Sequence, residues 1–430
     1  MKKLISTLLV SSMALSLVGC GAPKTPAAAA GTTAAAQATE TTAAAAADGA
    51  AEAITLKVWA PQVDQVDETS WLNVMLPQFE EAHPEYDITW DIGVCGEGDA
   101  ASIVKNDPAA AADVFFYAND QMGTLIEAGA LAKLGGSYLE QVQNDVAQTY
   151  IDTVTYTDGG VYGFPMAPHT WFMWYNKDIF TEEDVKNLNT MLEKGVVSFP
   201  MDNSWYTATF FFGVGGTLYG PQGIDAAAGI DFSSDLCVEA GKFMIDFAKH
   251  PNFKNDVDGT GVAGMKEGTI HAMFSGPWDR PALEESLGDK LGCAVLPTFT
   301  MNGTDYQMKS FAGSKSIGVN PNASNPKAAM QLAAFLASAD GQLARYELSA
   351  ITPAATACAE AEAVKSNFVV ATESAEMATA TIAQPTIAAM NAYWDPVKNF
   401  GLNILNGSIT YDNVEEMLDA TLELLNSTGL

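Results

Sequence analysis

Aromatic residues beside short polar side chains are the residues in this sequence whose chemistry is most specific. Four clusters have this form, namely Tyr117 before Asn119-Asp120-Gln121, Trp205-Tyr206 after Asp202-Asn203-Ser204, Trp278-Asp279-Arg280 after Ser275-Gly-Pro, and Tyr393-Trp394 before Asp395. A flat ring stacks on the apolar face of a sugar, while carboxylates and amides bind its hydroxyls. Taken singly, each cluster is better explained by an amphipathic aromatic side chain at the edge of the core. Four clusters of similar composition together favour a ligand-binding groove.

Sequence patterns typical of metal binding and catalysis are missing from this chain. The four histidines, at 83, 169, 250 and 271, form no pair at helical spacing, so neither a zinc or iron site nor a cofactor is predicted. The sequence contains no G-x-S-x-G and no Gly-rich phosphate loop with Lys. Accidental acid pairs are expected among 52 Asp+Glu, so a glycoside hydrolase stays open but unsupported.

The charge balance restricts the partners of this protein. The 430 residues carry 21 Lys+Arg against 52 Asp+Glu, a formal net charge of −31, and 48% of them are hydrophobic. Nucleic acid and anionic lipid headgroups are bound largely through Lys and Arg, so neither is an expected partner. The length and hydrophobic fraction predict a globular body of two or three domains with a neutral or cationic ligand.

The first residues have the pattern of an export signal. A basic start is followed by an apolar run over 4–19, which is too short for a stable membrane helix. The run ends in Leu17-Val-Gly-Cys20, which resembles the bacterial lipoprotein box. We therefore predict a signal peptide at 1–19 and lipidation at Cys20, the alternative being an ordinary signal peptide with a chance cysteine. The Ala/Thr-rich stretch 20–53 is predicted to be a tether.

The remaining four cysteines have no C-x-x-C spacing, and they are Cys95, Cys237, Cys293 and Cys358. Disulfides and buried free thiols both remain compatible with this scatter and its apolar surroundings.

The body has the alternating pattern of an α/β protein. Apolar β-branched and aromatic runs predict strands at 54–60, 86–92, 113–118, 170–175, 271–274, 293–296 and 316–319. Helical spacing and caps predict helices at 70–82, 120–129, from 234, 325–337, 396–405 and 411–425, with a kink at Pro77. The alternation favours parallel sheets in more than one domain.

Several segments together resemble the extracellular solute-binding proteins of bacterial ABC sugar importers, most closely their maltodextrin-binding branch. The resemblance extends over about 56–425 and is carried by 112–121, Tyr162-Gly-Phe-Pro-Met166, Tyr175-Asn-Lys-Asp178, 266–278, Val295-Leu-Pro-Thr-Phe299 and Ala389-Met-Asn-Ala-Tyr-Trp394. Ser-Gly-Pro-Trp and Met-x-x-x-Trp are fairly specific to the sugar branch, whereas Tyr-Asn-Lys-Asp occurs throughout the wider family.

The resemblance implies a set of ligand-binding residues. The stacking platforms would be Tyr117, Trp278 and Trp394, with Trp205 and Tyr206 as the aromatic pair of the second lobe. Asp120 would accept sugar hydroxyls. The other predicted ligand-binding residues are Gln62, Asp67, Gln121, His169, Arg280 and Tyr393, with Gln62 and Asp67 in a polar loop at the cleft. This sequence departs from the pattern where His169 and Asn203 replace acids and Gln121 replaces a basic residue.

The resemblance also implies a two-lobed, periplasmic-binding-protein-like α/β fold with a hinge between the lobes. The N-lobe would comprise 54–167 plus 314–363, and the C-lobe 168–313 plus 364–430. Sugar would dock on one lobe and hinge closure would bury it, with no catalysis.

The resulting hypothesis is a monomeric lipoprotein outside the cytoplasm that captures malto-oligosaccharides for ABC permease subunits. The alternatives are a binding protein for another neutral oligosaccharide or a peptide, a surface-tethered glycoside hydrolase, and an adhesin that holds polysaccharide without import.

Overall fold

The computed structural model describes residues 51–257 and 259–427. The predicted signal peptide at 1–19, the lipidation at Cys20 and nearly all of the tether at 20–53 lie outside the described residues. Among the residues that are described, none of the helices combines the length and the apolar character needed to cross a membrane.

Short strands make up the sheets of the molecule. Within the described ranges they are β1 (Glu52–Ala60), β2 (Tyr86–Val94), β3 (Val114–Ala118), β4 (Phe164–His169), β5 (Phe172–Asn176), β6 (Val197–Phe199), β7 (Thr217–Leu218), β8 (Ile230–Asp231), β9 (Phe253–Asn255), β10 (Ala272–Ser275), β11 (Leu291–Ala294), β12 (Thr298–Met301), β13 (Thr304–Gln307), β14 (Ser310–Val319) and β15 (Thr381–Ala383).

Helices connect and cover these strands. In chain order they are α1 (Trp71–Ala82), α2 (Ala100–Val104), α3 (Met122–Glu127), α4 (Gly136–Asp145), α5 (Gln148–Thr153), α6 (Leu188–Lys194), α7 (Ser204–Thr207), α8 (Thr209–Gly213), α9 (Asp235–Lys249), α10 (Thr260–Glu267), α11 (Arg280–Leu287), α12 (Pro326–Leu336), α13 (Ala339–Ser349), α14 (Glu362–Lys365), α15 (Phe368–Thr379), α16 (Trp394–Leu405) and α17 (Val414–Ser427).

Two larger sheets organise the chain. The first has the order β15-β14-β3-β1-β2, with β4 also paired to β14, and the second has the order β11-β5-β10-β6-β9. In the first sheet β1 runs parallel to β2 and β3, whereas β14 runs antiparallel to β3 and β4. In the second sheet β5 runs antiparallel to β10 and β11, whereas β6 runs parallel to β9 and β10. Both sheets are therefore mixed, and the expectation of parallel sheets holds only for part of each. Antiparallel pairing enters where the chain crosses from one sheet to the other.

The crossing points position the functional site. Strand β4 belongs to the first sheet and β5 to the second, so the chain passes between them at Thr170-Trp171. Strand β14 pairs with β15 over its first residues and with β3 and β4 further along. Helix α15 contacts both β5 and β11 of the second sheet. The lobe boundaries at 167/168, 313/314 and 363/364 remain a prediction.

Each large sheet has its own hydrophobic core. The first core contains β1 side chains such as Leu56 and Val58 together with Trp71 and Phe115. The second is rich in aromatic rings, among them Trp171, which is fully buried. The residue pattern explains the strands, because all five residues of β3 are buried and its sequence is continuously apolar.

Most predicted elements are present with shifted ends. Strand β1 begins two residues before the predicted 54–60, and β14 extends far beyond the predicted 316–319. Helix α9 begins as expected, since the Ser234 hydroxyl accepts a hydrogen bond from the Cys237 backbone N–H. Helix α1 continues through Pro77. The four cysteines of the described part are free thiols, three of them buried, which settles the open choice between thiols and disulfides.

Candidate functional site

Three flat rings lie in a row beside the crossing between the two sheets. The ring centroids of His169 and Trp205 are 4.8 Å apart at an interplanar angle of 30°, and those of Trp205 and Trp278 are 5.9 Å apart at 35°. Trp278 keeps 47% of its surface exposed. We call His169, Trp205 and Trp278 the aromatic ledge. At these separations neighbouring rings cover part of each other's faces, so the ring most open to the apolar face of a sugar is that of the exposed Trp278.

Local structure holds each ring of the aromatic ledge in place. The Asn203 side-chain oxygen accepts from the Trp205 N–H (3.0 Å) and so begins α7, and the Trp205 carbonyl accepts from the Trp171 indole (3.2 Å). Trp278 folds back over Gly276, where a Cβ would lie 2.0 Å from its ring. A glycine is therefore required at that position for the indole to adopt this orientation.

A cavity of about 320 Å³ adjoins the aromatic ledge. We call it the ledge cavity. Both large sheets contribute to it, because Lys315 lies on β14 of the first sheet and Pro277-Trp278 follow β10 of the second. Further walls come from other parts of the chain, namely Val63, residues 167–170, Arg280-Pro281, residues 349–352 and Glu373.

Burial shifts the pKa values of two titratable groups that line the ledge cavity. Burial and the nearby Lys315 ammonium lower the pKa of His169 to about 3, so the imidazole is neutral at physiological pH. Burial raises the pKa of Glu373 to about 7. A neutral imidazole and a partly protonated carboxyl each both donate and accept hydrogen bonds, as the hydroxyls of a neutral sugar require.

Buried polar atoms without a hydrogen-bond partner occur at this site. Within the described residues, those at the ledge and its cavity are Nδ1 of His169, Nε1 of Trp205 and Oε2 of Glu373, whereas Oδ1 of Asp120 and Oε1 of Gln384 lie outside the cavity lining. Leaving such groups unpaired costs about 1–3 kcal/mol each. A ligand that supplies hydroxyls to them gains affinity from groups the protein itself leaves unsatisfied.

Asp120 and Gln121 lie in a 3-10 turn directly after β3. The Gln121 amide donates to the Asp120 carboxylate (3.3 Å), and burial raises the pKa of Asp120. The Gln121 side-chain oxygen accepts from the Ala101 N–H (3.3 Å). The turn contacts the segment Ala388–Ala392, and neither residue lines the ledge cavity. Asp120 keeps one free carboxylate oxygen, and its predicted ligand role stays a prediction.

The structure corrects the prediction that Tyr117 is a stacking platform. Its ring is fully buried in the first core, with its hydroxyl donating to the Tyr162 carbonyl (3.4 Å). A Cβ on Gly163 would lie 2.3 Å from the Tyr117 hydroxyl oxygen, and one on Gly318 would lie 3.2 Å from the ring. The side chain points into the sheet packing because alternate residues of β3 face opposite sides, so a ligand cannot reach its faces.

Tyr206 and Tyr393 are buried behind the ledge, and their predicted contact with the ligand stays a prediction. The Tyr206 ring lies 4.6 Å from that of Trp171, and burial raises its pKa well above the usual value. Tyr393 is fully buried and donates to the Ser204 carbonyl (2.9 Å). Both support α7, which carries Trp205.

Trp394 and Arg280 have different surroundings. The Trp394 ring is partly buried and packs edge-on against Tyr393 at 5.1 Å, outside the ledge cavity. Arg280 lines the cavity and donates to Glu284 (2.7 Å) and Asn367 (3.1 Å). The ledge and its cavity thus bring together four predicted residues, His169, Trp205, Trp278 and Arg280.

The loop after β1 reaches the ledge cavity through Val63 and not through the predicted residues Gln62 and Asp67. Gln62 and Asp67 are exposed, and the Asp67 carboxylate accepts from the Thr69 N–H (2.9 Å) and hydroxyl (2.7 Å), which lowers its pKa. Neither residue lines the ledge cavity, whereas Val63 of the same loop does. The Asp67 carboxylate therefore stabilises the turn before α1, and the predicted ligand contacts of Gln62 and Asp67 stay predictions.

The sequence reasoning missed a buried charged network beside the cavity. Arg345 donates to Asp64 through Nε (3.0 Å) and Nη2 (2.6 Å), and its guanidinium lies 5.4 Å from the ring centroids of both Trp71 and Phe116. Glu97 lies 3.7 Å from both Arg345 and Lys315. One signal was available, because Arg280 and Arg345 are the only arginines in the sequence.

Comparison with known proteins places these features in context. Residues 75–372 match the family of bacterial extracellular solute-binding proteins. A galactooligosaccharide-binding protein of Bacillus subtilis is 29% identical over 307 residues, 66% of this chain and 70% of that one. A maltooligosaccharide ABC transporter solute-binding lipoprotein of Streptococcus pneumoniae is 28% identical over 320 residues, 69% of this chain and 72% of that one.

Solved structures resemble the whole body of the chain. One solved with acarbose is 41% identical, with a TM-score of 0.82 over 87% of this chain and 99% of that one. The maltodextrin-binding protein MalE1 from L. casei BL23, solved without ligand, is 25% identical, with a TM-score of 0.81 over the same shares. These likenesses confirm the predicted periplasmic-binding-protein-like α/β fold.

Proposed function

Because this chain belongs to the family of bacterial extracellular solute-binding proteins, we propose that it captures neutral malto-oligosaccharides on the aromatic ledge. The observation that carries the proposal is the row of His169, Trp205 and Trp278, which ends in an exposed indole, beside a cavity with unpaired buried polar atoms. Flat rings bind the apolar faces of sugars, and the unpaired atoms bind their hydroxyls.

The chemistry of the ledge cavity favours a neutral ligand. The cations Lys315 and Arg280 each have a carboxylate close by, from Glu97 at 3.7 Å and Glu284 at 2.7 Å. His169 is neutral at physiological pH. The cavity thus carries little net charge, and a ligand with hydroxyl groups satisfies it without burying an ion.

The protein is a binding protein and not an enzyme, as its family membership establishes. The two predicted lobes, 54–167 plus 314–363 and 168–313 plus 364–430, would close on the sugar about the crossing segments. Closure requires that the ligand bind the closed form more tightly than the open one. Lys315 and Trp278 come from different sheets and line the same cavity, so they would supply contacts that depend on closure.

The family places the protein outside the cytoplasm, and the proposal adds a lipid anchor and an importer. A relative is named as a solute-binding lipoprotein of an ABC transporter, and Leu17-Val-Gly-Cys20 supplies the matching site here. The closed monomer would deliver sugar to ABC permease subunits. Expressed in a bacterial host, Cys20→Ser should move the protein from the membrane fraction to the soluble fraction; membrane retention of this variant would contradict the anchor.

Calorimetric titration tests the ligand directly. The mature protein is titrated with maltotriose, with a galacto-oligosaccharide of equal length and with xylotriose. We expect saturable binding of maltotriose and much weaker binding of xylotriose. Tighter binding of the galacto-oligosaccharide would favour the second candidate, which the Bacillus subtilis relative supports. Absence of binding to all three sugars would refute the proposal, and released monosaccharide after long incubation would refute its non-catalytic part.

A further inference from the structure

A carboxyl group is buried at the crossing between the two sheets, outside the ledge cavity. Glu376, on α15, is fully buried and does not line the cavity. Its Oε2 accepts from the Leu296 N–H (2.9 Å) and its Oε1 accepts from the Ser310 hydroxyl (2.8 Å). The side-chain oxygens of Ser310 and Thr170 lie 2.8 Å apart, at hydrogen-bond distance. We call Glu376, Leu296, Ser310 and Thr170, all of them buried, the crossing chain.

The crossing chain joins two segments that pass between the sheets. Thr170 lies where the chain leaves β4 of the first sheet for β5 of the second. Ser310 lies where the chain, coming from β11 of the second sheet through β12 and β13, enters the first sheet as β14. The Ser310 N–H also donates to the Ala380 carbonyl at the end of α15 (2.9 Å). Helix α15 is therefore fastened to both segments through Ser310.

Two rings of the aromatic ledge depend on the position of Thr170. The preceding residue, His169, is itself a ring of the ledge, and the following residue, Trp171, donates through its indole to the Trp205 carbonyl (3.2 Å). A displacement of Thr170 would therefore move one ring directly and the support of another. Glu376 is connected to this segment without reaching the ligand.

We propose that Glu376 is a positioning residue for the sugar site. Acting through Ser310, it holds Thr170, and with it the His169 and Trp205 rings, in the arrangement that binds ligand, and its ionisation weakens that hold. This inference rests on the proposed function. It adds a residue outside the cavity on which sugar affinity depends, and a pH range in which the affinity falls.

The surroundings of Glu376 explain why its charge matters. The other titratable or charged side chains on α15, β5, β11 and β14 and next to the crossing chain are Glu373, Tyr175, Cys293, Lys315, His169 and Lys309. Within residues 51–257 and 259–427, none of them forms an ion pair or a hydrogen bond with Glu376. An ionised Glu376 is therefore buried without a counter-charge, and it favours any arrangement that lets water reach it.

The sign of the pH dependence follows from this burial. Burial raises the pKa of Glu376 to about 8, although its two hydrogen bonds oppose the shift. At physiological pH the carboxyl is mostly neutral, and it can then donate to the Ser310 hydroxyl and keep the crossing chain intact. Because the arrangement that binds sugar favours the protonated form, affinity should fall as the pH rises through about 8.

The test titrates the mature chain with maltotriose by calorimetry at about pH 6.5 and about pH 9. Glutamine reproduces the neutral carboxyl, since its amide can accept from the Leu296 N–H and donate to the Ser310 hydroxyl. Glu376→Gln should match wild type at the lower pH and bind at least about threefold more tightly than wild type at the higher pH, which is about 0.7 kcal/mol. Glu373 is present in both proteins, so its own titration cancels in this ratio.

Two further variants interrupt the crossing chain at different points. Glu376→Leu removes the acceptor of both hydrogen bonds and should weaken maltotriose about tenfold at the lower pH. Ser310→Ala is a smaller change that leaves the Leu296 N–H paired, and it should also weaken binding. Ser234→Ala is the control, because it removes the hydroxyl that caps α9. It should lower stability in urea without changing affinity.

The outcomes separate this inference from the proposed function. If the affinity ratio of Glu376→Gln to wild type is the same at both pH values, Glu376 does not position the site through its protonation. Wild-type affinity in both Glu376→Leu and Ser310→Ala would likewise overturn the positioning role, and either result leaves the proposed function intact. Failure of wild-type protein to bind maltotriose at the lower pH would overturn the proposed function and this inference with it.

Discussion

Exposure separates the aromatic residues that can bind ligand from those that resemble them in sequence. Trp278 and Tyr117 both stand beside short polar residues, yet Trp278 is 47% exposed and Tyr117 is fully buried. The difference arises from tertiary packing. Trp278 follows β10 in a turn over Gly276, whereas Tyr117 lies within β3 between other strands. Composition around an aromatic residue therefore identifies a candidate, and its place on the strand decides its role.

Trp278→Ala is expected to weaken binding of maltotriose by about 1–3 kcal/mol, because the exposed indole gives up its buried area and its stacking on the sugar. Folding should be little affected, since the ring is half exposed. Calorimetry measures the affinity and urea unfolding the stability. Tyr411→Ala, at an exposed ring before α17, is the matched control and should bind normally. Wild-type affinity in Trp278→Ala would place the ledge outside the ligand site.

Tyr117→Phe tests the corrected role of the buried tyrosine. We expect unchanged sugar affinity and a loss of about 1 kcal/mol of folding free energy, because the change removes the hydroxyl that contacts the Tyr162 carbonyl and the Ser316 side chain. Calorimetry and urea unfolding give the two quantities. A marked loss of affinity with unchanged stability would restore Tyr117 to the ligand site.

The sequence predicted the ledge better than the groups around it. His169, Trp205, Trp278 and Arg280 were all predicted, since motif resemblance identified their positions. Glu373 and Arg345 were not, because each lies in an ordinary amphipathic helix and acquires its role from partners far away in the chain. Arg345 and Asp64 are separated by 281 residues. Local spacing contains no information about such a pair.

At the scale of elements, a buried ion pair joins helix α13 to the loop after β1. Arg345 lies on α13, and Asp64 lies in the 3-10 turn Gln62–Asp64 that also brings Val63 to the ledge cavity. Both charged side chains are almost completely buried. A buried pair costs desolvation and repays it only with good geometry, which the paired hydrogen bonds provide. The ion pair therefore holds the turn that places Val63 in the wall of the ledge cavity.

Asp64→Asn is expected to destabilise the protein by about 3–5 kcal/mol, because it leaves the buried Arg345 without its counter-charge. The double variant Asp64→Leu/Arg345→Met should be much milder, since it removes both charges. Urea unfolding measures both. Glu183→Gln, which breaks the exposed pair with Lys186, is the control and should cost less than about 1 kcal/mol. A similarly small cost for Asp64→Asn would show that the pair is not structural.

Helix α15 makes folding stability depend on pH. The pKa of Glu373 is about 7 in the folded protein and near the usual 4.5 when unfolded. The folded state thus holds the proton more tightly, and the free energy of unfolding falls as pH rises from about 4.5 through about 7. The Glu373→Gln variant cannot ionise at this position, so it should not lose this stability as the pH rises. Lys315 acts in the opposite direction and reduces its size.

We therefore expect Glu373→Gln to gain stability relative to wild type between pH 5 and pH 8, by up to about 3 kcal/mol. Urea unfolding at the two pH values gives the difference. Glu362→Gln, at an exposed residue of the neighbouring α14, should show no such gain. A difference between wild type and Glu373→Gln that is the same at both pH values would contradict burial as the cause of the raised pKa.

Element prediction succeeded where one segment determines its own structure. Ser234 caps α9 and a continuous apolar run makes β3, and both are readable locally. Element prediction failed for the direction and the length of strands. Strand β14 spans Ser310–Val319 because it pairs with β3, β4 and β15 in turn. Its pairing partners lie far away in sequence, so spacing alone could not predict the mixed sheets.

At the scale of the whole molecule, the proposed ligand site depends on the junction of the two sheets. Trp278 follows a strand of the second sheet, Lys315 lies on the first, and His169 ends the strand that leads from one to the other. A ligand in the ledge cavity therefore contacts both halves. Periodicity predicted an α/β protein, but only resemblance over about 56–425 predicted two lobes with a cleft between them.

The net charge of −31 allows a test of ligand charge on the intact protein. Raising salt from about 0.1 M to about 1 M shortens the Debye length from about 10 Å to about 3 Å. A neutral sugar feels no long-range attraction to an acidic protein, so its affinity should change by less than about twofold over this range, which is about 0.4 kcal/mol. Calorimetry with maltotriose at both salt concentrations measures this change in affinity.

A cationic ligand would instead bind much more weakly in high salt, because screening removes its attraction to the acidic surface. A steep loss of affinity for maltotriose itself would mean that binding depends on exposed ion pairs and not on rings and hydroxyl partners, and the ledge would then be the wrong site.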